Sequence, residues 1–341
     1  MTEATGYHPK SESTERLCVH VVHPPPDTAL AHLRDRLDPS IELRAGPESP
    51  RFDTDILVQG RPSKDQLVAC PALRALIIPY AGLPAETRDL LLDSFPDLPV
   101  YNLHHNASAA AELAMALFLA AAKSIVPVDR KFRTHDWRSR YDGAPTRLLE
   151  GKTAVILGFG AIGSRLARMC QALGMTVHAV RKRSNRPSSE PIQFHKLEDL
   201  RDLLPIAAAL FIALPSTPET VGLLGSREIG LLPSSCVLVN IARGAIVDEE
   251  ALYQSLKDGR IAAAGIDVWY NYPHTPESRA NTPPSRFPFH ELDNVVMSPH
   301  RGGAFRLEEL EYRRMSDLAL TLNTLARGEQ VPHRVDVSAG Y

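Results

Sequence analysis

Residues 150–163 read EGKTAVILGFGAIG. Residues 154–157 (AVIL) form a short apolar run that reads as a buried strand, and Gly158-Phe159-Gly160-Ala161-Ile162-Gly163 follows directly. A helical pattern continues from Ser164. Gly158 permits the tight turn, Gly160 lets the backbone approach a pyrophosphate, and Gly163 lets the helix pack on the strand. The pyrophosphate charge then meets the free N–H groups and positive dipole end of that helix. Glycines at this spacing are weak evidence alone. A strand before them and a helix after them make the stretch a dinucleotide-binding turn of the Rossmann type, in which Ala161 and Ile162 also contact the cofactor.

In NAD-binding versions an acidic residue sits roughly 20 residues further on and accepts from the ribose 2′-hydroxyl. Here that place reads Val180-Arg181-Lys182-Arg183-Ser184. Three cations would attract a 2′-phosphate, Arg181 could hold it in a fork, and no carboxylate opposes it. A solvated basic loop would look the same. The expectation is that NADP(H) is preferred and NAD(H) possible.

Strand and helix patterns alternate on both sides of this turn. Strands are expected at 17–22, 55–58 and 73–78, with a helix from Pro24 to Leu37, and this first series ends near Asn102. An Ala-rich helix over 108–125 follows, then basic, irregular sequence over 130–147. The second series places strands at 153–157, 176–180, 208–214, 237–241, 262–268 and 294–297, a loop at 270–290 and a last helix at 306–327. Strands alternating with helices at loop-sized spacing predict parallel α/β sheets.

A length of 341 residues predicts two domains. Apolar residues make up 44% and charged residues 23%, with a net charge of −2, so no strong field draws in nucleic acid or an anionic membrane. The four cysteines, Cys18, Cys70, Cys170 and Cys236, are far apart; they read as buried thiols in a reducing compartment, and no metal site is expected. The N-terminal stretch MTEATGYHPKSESTER lacks the apolar core of a signal peptide, and the apolar run at 113–122 is too short to span a bilayer. A soluble, cytoplasmic protein is expected.

Four further stretches narrow the reading: LPSTPET at 214–220, VNIARGAIVDEEAL at 239–252, AGIDVWYNYP at 264–273 and SPHRGG at 298–303. With GFGAIG they resemble the D-isomer-specific 2-hydroxyacid dehydrogenases, a family with formate, phosphite, phosphoglycerate and glyoxylate/hydroxypyruvate branches. The resemblance is dense from about Tyr101 to Gly303 and only general before that. It implies that Arg243 grips the substrate carboxylate and the reacting carbonyl oxygen with its planar fork. It implies that His300 is the acid/base, since a histidine can deliver a proton near neutrality. Asp267 matches the position facing the nicotinamide amide, and Leu214, Pro215, Thr220, Ile241 and Ala242 match cofactor contacts. Asn106 matches a substrate-contacting asparagine of the formate branch. Tyr80, Ala81 and Gly82 sit where the family's substrate loop offers backbone N–H groups.

One position departs from the pattern. The family usually carries a glutamate before the proline of the DVF-like segment, where it pairs with the histidine and favours its charged form. Here Tyr272 precedes Pro273. Formate dehydrogenases carry a neutral glutamine at this place, so hydride transfer is compatible with it. Glu277 and Glu291 are near enough in sequence to be substitutes.

The expected fold class is α/β: two Rossmann-like, doubly wound parallel-sheet domains with an interdomain cleft that closes over the substrate. The dinucleotide-binding domain would span 106–301, and a discontinuous substrate domain 1–105 plus 302–341. The expected function is hydride transfer between NAD(P)H and a small 2-keto or 2-hydroxy acid, mostly as reduction of a keto acid such as glyoxylate or hydroxypyruvate. Formate-type donor oxidation and a dinucleotide-sensing protein without turnover are the alternatives. Expected partners are a small carboxylate substrate and a second copy in a homodimer, with the Ala-rich helix as a plausible contact; no nucleic acid and no membrane are expected.

Overall fold

The computed structural model of the chain describes residues 16–143, 146–181, 191–303, 307–331 and 333–340. The chain divides into two compact units. One holds the described residues up to Leu103 together with those of Glu308–Ala339; the other holds the described residues of His104–Leu307.

The first unit is built on five parallel strands: β1 (Leu17–Val21), β2 (Ile41–Ala45), β3 (Ile56–Val58), β4 (Ala75–Ile78) and β5 (Val100–Asn102), in the order β2-β1-β3-β4-β5. β3 and β4 are buried at every residue. Unbroken apolar runs of this kind belong to strands covered on both faces. On one face the helices Asp27–Arg34 and Glu308–Ala326 close the core, with Leu30 and Leu33 in one cluster with Met315, Leu318 and Leu322. β2 was not expected. It is a half-buried edge strand, IELRA, with no apolar run to reveal it.

The second unit carries seven parallel strands: β6 (Thr153–Leu157), β7 (Thr176–Val180), β8 (Ile192–His195), β9 (Ala209–Ile212), β10 (Val237–Asn240), β11 (Ala263–Ile266) and β12 (Val295–Met297). Their order is β12-β11-β10-β9-β6-β7-β8. The winding reverses at β6, whose neighbours are β7 on one side and β9 on the other. Ligands of open α/β sheets bind beyond the carboxyl ends of the strands at such a switch point. The glycine turn at 158–163 leaves β6 there.

The Ala-rich helix runs Ala107–Ala122, and Phe118, Ala111 and Ala114 are fully buried beneath the sheet. Ser124, at a left-handed φ of 52°, breaks the run, and a second helix, Ile125–Phe132, follows. The sequence pattern assigns Ile125 to the first helix and predicts irregular structure from Arg130, whereas the second helix starts at Ile125 and runs to Phe132. Ile125, Val128, Phe132, Trp137 and Tyr141 are exposed here. Among the described residues no single helix is long and apolar enough to cross a membrane.

Candidate active site

Gly158 has φ 98°, and a Cβ on it would lie 2.6 Å from the Ala213 carbonyl oxygen. A Cβ on Gly163 would lie 1.9 Å from the Gly158 oxygen, so the helix Gly163–Ala172 starts against the turn only because no side chain intervenes. A Cβ on Gly160 would meet nothing within 4 Å. The two outer glycines are therefore required by the protein, and the middle one faces open space over a helix N-terminus. That cradle fits a pyrophosphate.

Beyond β10, β11 and β12 the structure brings together Arg243, Asp267, Tyr272 and His300. Arg243 follows β10; its Nη1 donates to the Ala242 oxygen at 2.6 Å, and Asn240 pins the turn by donating to the Arg243 oxygen at 3.0 Å. Asp267 follows β11 and is 1% exposed. Its Oδ1 accepts from the Ser298 hydroxyl at 2.5 Å and from the Arg301 N–H at 2.7 Å, and its Oδ2 from the Gly302 N–H at 2.8 Å. The Trp269 indole N–H donates to the Ser298 oxygen at 2.8 Å. The DVW segment thus grips the SPHRGG loop on both sides of His300. His300 itself sits at φ 56°, a left-handed conformation that costs a non-glycine residue roughly 1–2 kcal/mol and persists where neighbours over-determine it.

The Tyr272 ring lies 5.6 Å from the His300 ring at 57°. Its hydroxyl accepts from the Trp269 N–H at 3.0 Å, and burial pushes its pKa up. Crowding around the imidazole lowers the pKa of His300, Arg243 lowers it further, and Asp267 opposes both. Neither alternative carboxylate joins this group: Glu277 is held by its own local turn and Thr275, and Glu291 lies 3.9 Å from His290. Among the described residues, therefore, His300 faces a phenol where a carboxylate would favour its charge.

Arg181 leaves β7 at the other end of the site. Its backbone N–H donates to the His195 oxygen at 3.0 Å, and its guanidinium lies 3.6 Å from the centroid of the Phe194 ring. Lys182 and Arg183 lie outside the described residues. Strand β8, which supplies both Phe194 and His195, has only four residues and follows the basic run; no periodicity announced it.

Other predicted residues take more local parts. The Thr220 hydroxyl donates to the Pro215 oxygen at 2.7 Å and accepts from the Thr217 N–H at 2.8 Å, so it shapes the LPSTPET turn, while Leu214 packs on the core. Ile241 and Ala242 are buried beneath the Arg243 turn. Asn106 precedes the Ala-rich helix, its Nδ2 3.7 Å from where a Cβ on Gly303 would stand, and its Oδ1 is buried with no hydrogen-bond partner among the described residues. In the first unit Tyr80, Ala81 and Gly82 follow β4, and Gly82 has φ 89°. The Tyr80 hydroxyl oxygen is 2.0 Å from where a Cβ on Gly60 would be, which ties this loop to the one after β3. Gly60 went unnoticed in the sequence because its task, making room for Tyr80, is a tertiary one.

Residues 115–302 match the model of the D-isomer specific 2-hydroxyacid dehydrogenase, NAD binding domain. The chain belongs to that family. The D-3-phosphoglycerate dehydrogenase of Archaeoglobus fulgidus is 32% identical over 292 residues, 85% of this chain and 52% of that protein. The glyoxylate reductase of Aeropyrum pernix is 38% identical over 233 residues, 67% of this chain and 66% of that protein. The chain thus spans about half the length of the phosphoglycerate dehydrogenases it matches. The D-isomer specific 2-hydroxyacid dehydrogenase of Xanthobacter autotrophicus Py2, solved in complex with NADPH and MES, shares the fold with a TM-score of 0.77. It is 23% identical, and the match covers 96% of this chain and 100% of that one. A nicotinamide dinucleotide is the cofactor of such a domain, and the glycine cradle fits it.

Proposed function

We propose that the chain is an NAD(P)-dependent oxidoreductase that reduces a small 2-keto acid, such as glyoxylate or hydroxypyruvate, to the 2-hydroxy acid, with NADP(H) preferred. The observation that carries this reading is the convergence of Arg243, His300 and the Asp267 brace beyond the strand ends flanking the glycine cradle. The nicotinamide, when bound, supplies the hydride. Arg243 binds the substrate carboxylate and draws electron density onto the carbonyl oxygen. His300, in its charged form, gives that oxygen its proton. Asp267 keeps the His300 loop in its strained conformation, and Asn106 brings a buried polar amide to the same loop. The names of the glyoxylate reductase and phosphoglycerate dehydrogenase relatives support the substrate class.

Tyr272 favours a second reading, oxidation of a donor such as formate, which needs no proton transfer. A panel of keto acids assayed with NADPH and NADH, beside formate assayed with both oxidised cofactors, separates the two. Turnover of keto acids supports the first reading, and turnover of formate alone the second. Cofactor binding with no turnover on any of them points to a dinucleotide sensor.

The working form proposed is a homodimer. The Ala-rich helix is spent on its own core. The arm after it instead exposes Ile125, Val128 and Phe132, with Trp137 packed edge-on against Phe132 at 4.8 Å. Exposed apolar area of this sort marks a protein contact. Light scattering of the wild type beside Phe132→Asp/Trp137→Asp should read dimer and monomer; a monomeric wild type rejects the proposal.

A further inference from the structure

The ribose-reading cation is not held by its own strand alone. Arg181 continues β7, and its N–H is tied to the oxygen of His195 on β8 at 3.0 Å. Its guanidinium lies over the ring of Phe194, the residue before, with 3.6 Å from Cζ to the centroid. Phe194 in turn meets Phe159 edge-on, at 4.9 Å between centroids and 79° between planes. Phe159 is the residue between Gly158 and Gly160 of the cradle. On the opposite face of the same two strands, His195 stacks on His178, with 5.1 Å between centroids, and Nδ1 of His178 lies 3.0 Å from Nε2 of His195. β8 is thus locked to β7 on one face by a histidine pair, and on the other it carries an aromatic platform that joins the pyrophosphate turn to Arg181.

A guanidinium carries its donors in its plane. Stacking on a ring uses a face and spends none of them. An arginine lying flat on a ring also loses less rotamer freedom when an anion arrives than one that is loose in solvent. We propose that Phe194 is a positioning residue for cofactor choice: it holds Arg181 flat beside the cradle so that the edge of the guanidinium meets the 2′-phosphate of NADP(H). The proposal rests on the NADP(H) preference given above and deepens it, because it assigns the preference to an aromatic residue on the neighbouring strand as well as to the basic run.

The test is direct binding, measured by titration calorimetry with NADP+, NAD+ and adenosine 2′,5′-bisphosphate. Losing a cation–π contact should weaken NADP+ and the bisphosphate by roughly threefold to thirtyfold in Phe194→Leu, with NAD+ binding unchanged. Phe194→Tyr should keep wild-type values. Phe194→Met, which keeps bulk without a ring, should behave like Phe194→Leu and serves if the leucine variant does not fold. Unchanged NADP+ affinity in the folded Leu or Met variant overturns the proposal. So does equal weakening of NADP+ and NAD+, which would make Phe194 a wall of the adenosine pocket and nothing more. If Arg181→Ala abolishes the preference and the Phe194 variants keep it, this inference fails and the NADP(H) reading stands. A wild type that binds NAD+ as tightly as NADP+ ends both.

Discussion

On either side of β6 the seven-stranded sheet places a basic side chain, and holds it by different means. Toward β12, His300 is braced by a carboxylate that is 1% exposed and accepts from three donors of the same loop. Toward β8, Arg181 lies on the face of a partly exposed ring. Proton transfer needs the donor atom within hydrogen-bond reach of one oxygen, and short directional bonds in a dry setting deliver that. Recognition of a phosphate tolerates more freedom, because an extended anion can be met from several directions. The difference teaches that the strength of bracing follows the geometric demand of the chemistry rather than the charge of the residue.

The largest break should come at the proton donor. His300→Ala should lower kcat for keto-acid reduction by about 10²–10⁴ while cofactor affinity stays as it was; full activity in this variant would remove His300 from the acid/base role. Cutting the brace comes next. Asp267→Asn puts an amide N–H₂ against groups that are donors themselves, so urea unfolding should show a loss of roughly 1–3 kcal/mol, with lowered activity. Unchanged stability would mean the loop holds its left-handed turn unaided. At the other wing, Arg181→Asp should reverse cofactor preference, with a change of roughly tenfold to a hundredfold in the NADPH-to-NADH ratio of kcat/KM, the scale of a charge-assisted contact. An unaltered ratio would assign the preference elsewhere.

The smallest effect is a shift along the pH axis. Reduction needs His300 charged, and it is charged only below its pKa, which burial and Arg243 lower. The rate should therefore fall as pH rises through a value below the ordinary histidine value of about 6.5. Oxidation of the hydroxy acid needs neutral His300 and should rise over the same interval. Tyr272→Glu supplies a neighbouring negative charge, raises the pKa of His300 and should move the falling limb of reduction to higher pH. Superimposable profiles of kcat/KM against pH for the two proteins would show that residue 272 does not set the proton donor.

How much of this was legible in the sequence varied along the chain. Strands buried on both faces, such as β6, β9 and β10, are unbroken apolar runs and were readable. Short or edge strands, β2, β5 and β8, carry no such run and were missed. Arg243, Asp267 and His300, which the structure brings together, each sit in a motif that the sequence displays. Phe194 and Gly60 sit in none: one faces Arg181 across two strands, the other yields space to Tyr80 across two loops.

Local chemistry alone determined the glycine cradle and the parallel sheets, because a tight turn and the apolar runs of buried strands are written in consecutive residues. Only the tertiary structure decided what surrounds the site residues. It showed Asp267 turned to the His300 loop, Tyr272 against the imidazole with Glu277 and Glu291 held elsewhere, and Phe194 beneath Arg181. These contacts join residues on different strands and loops, and pKa shifts and side-chain orientation arise from what lies within a few ångströms, whatever its place in the chain.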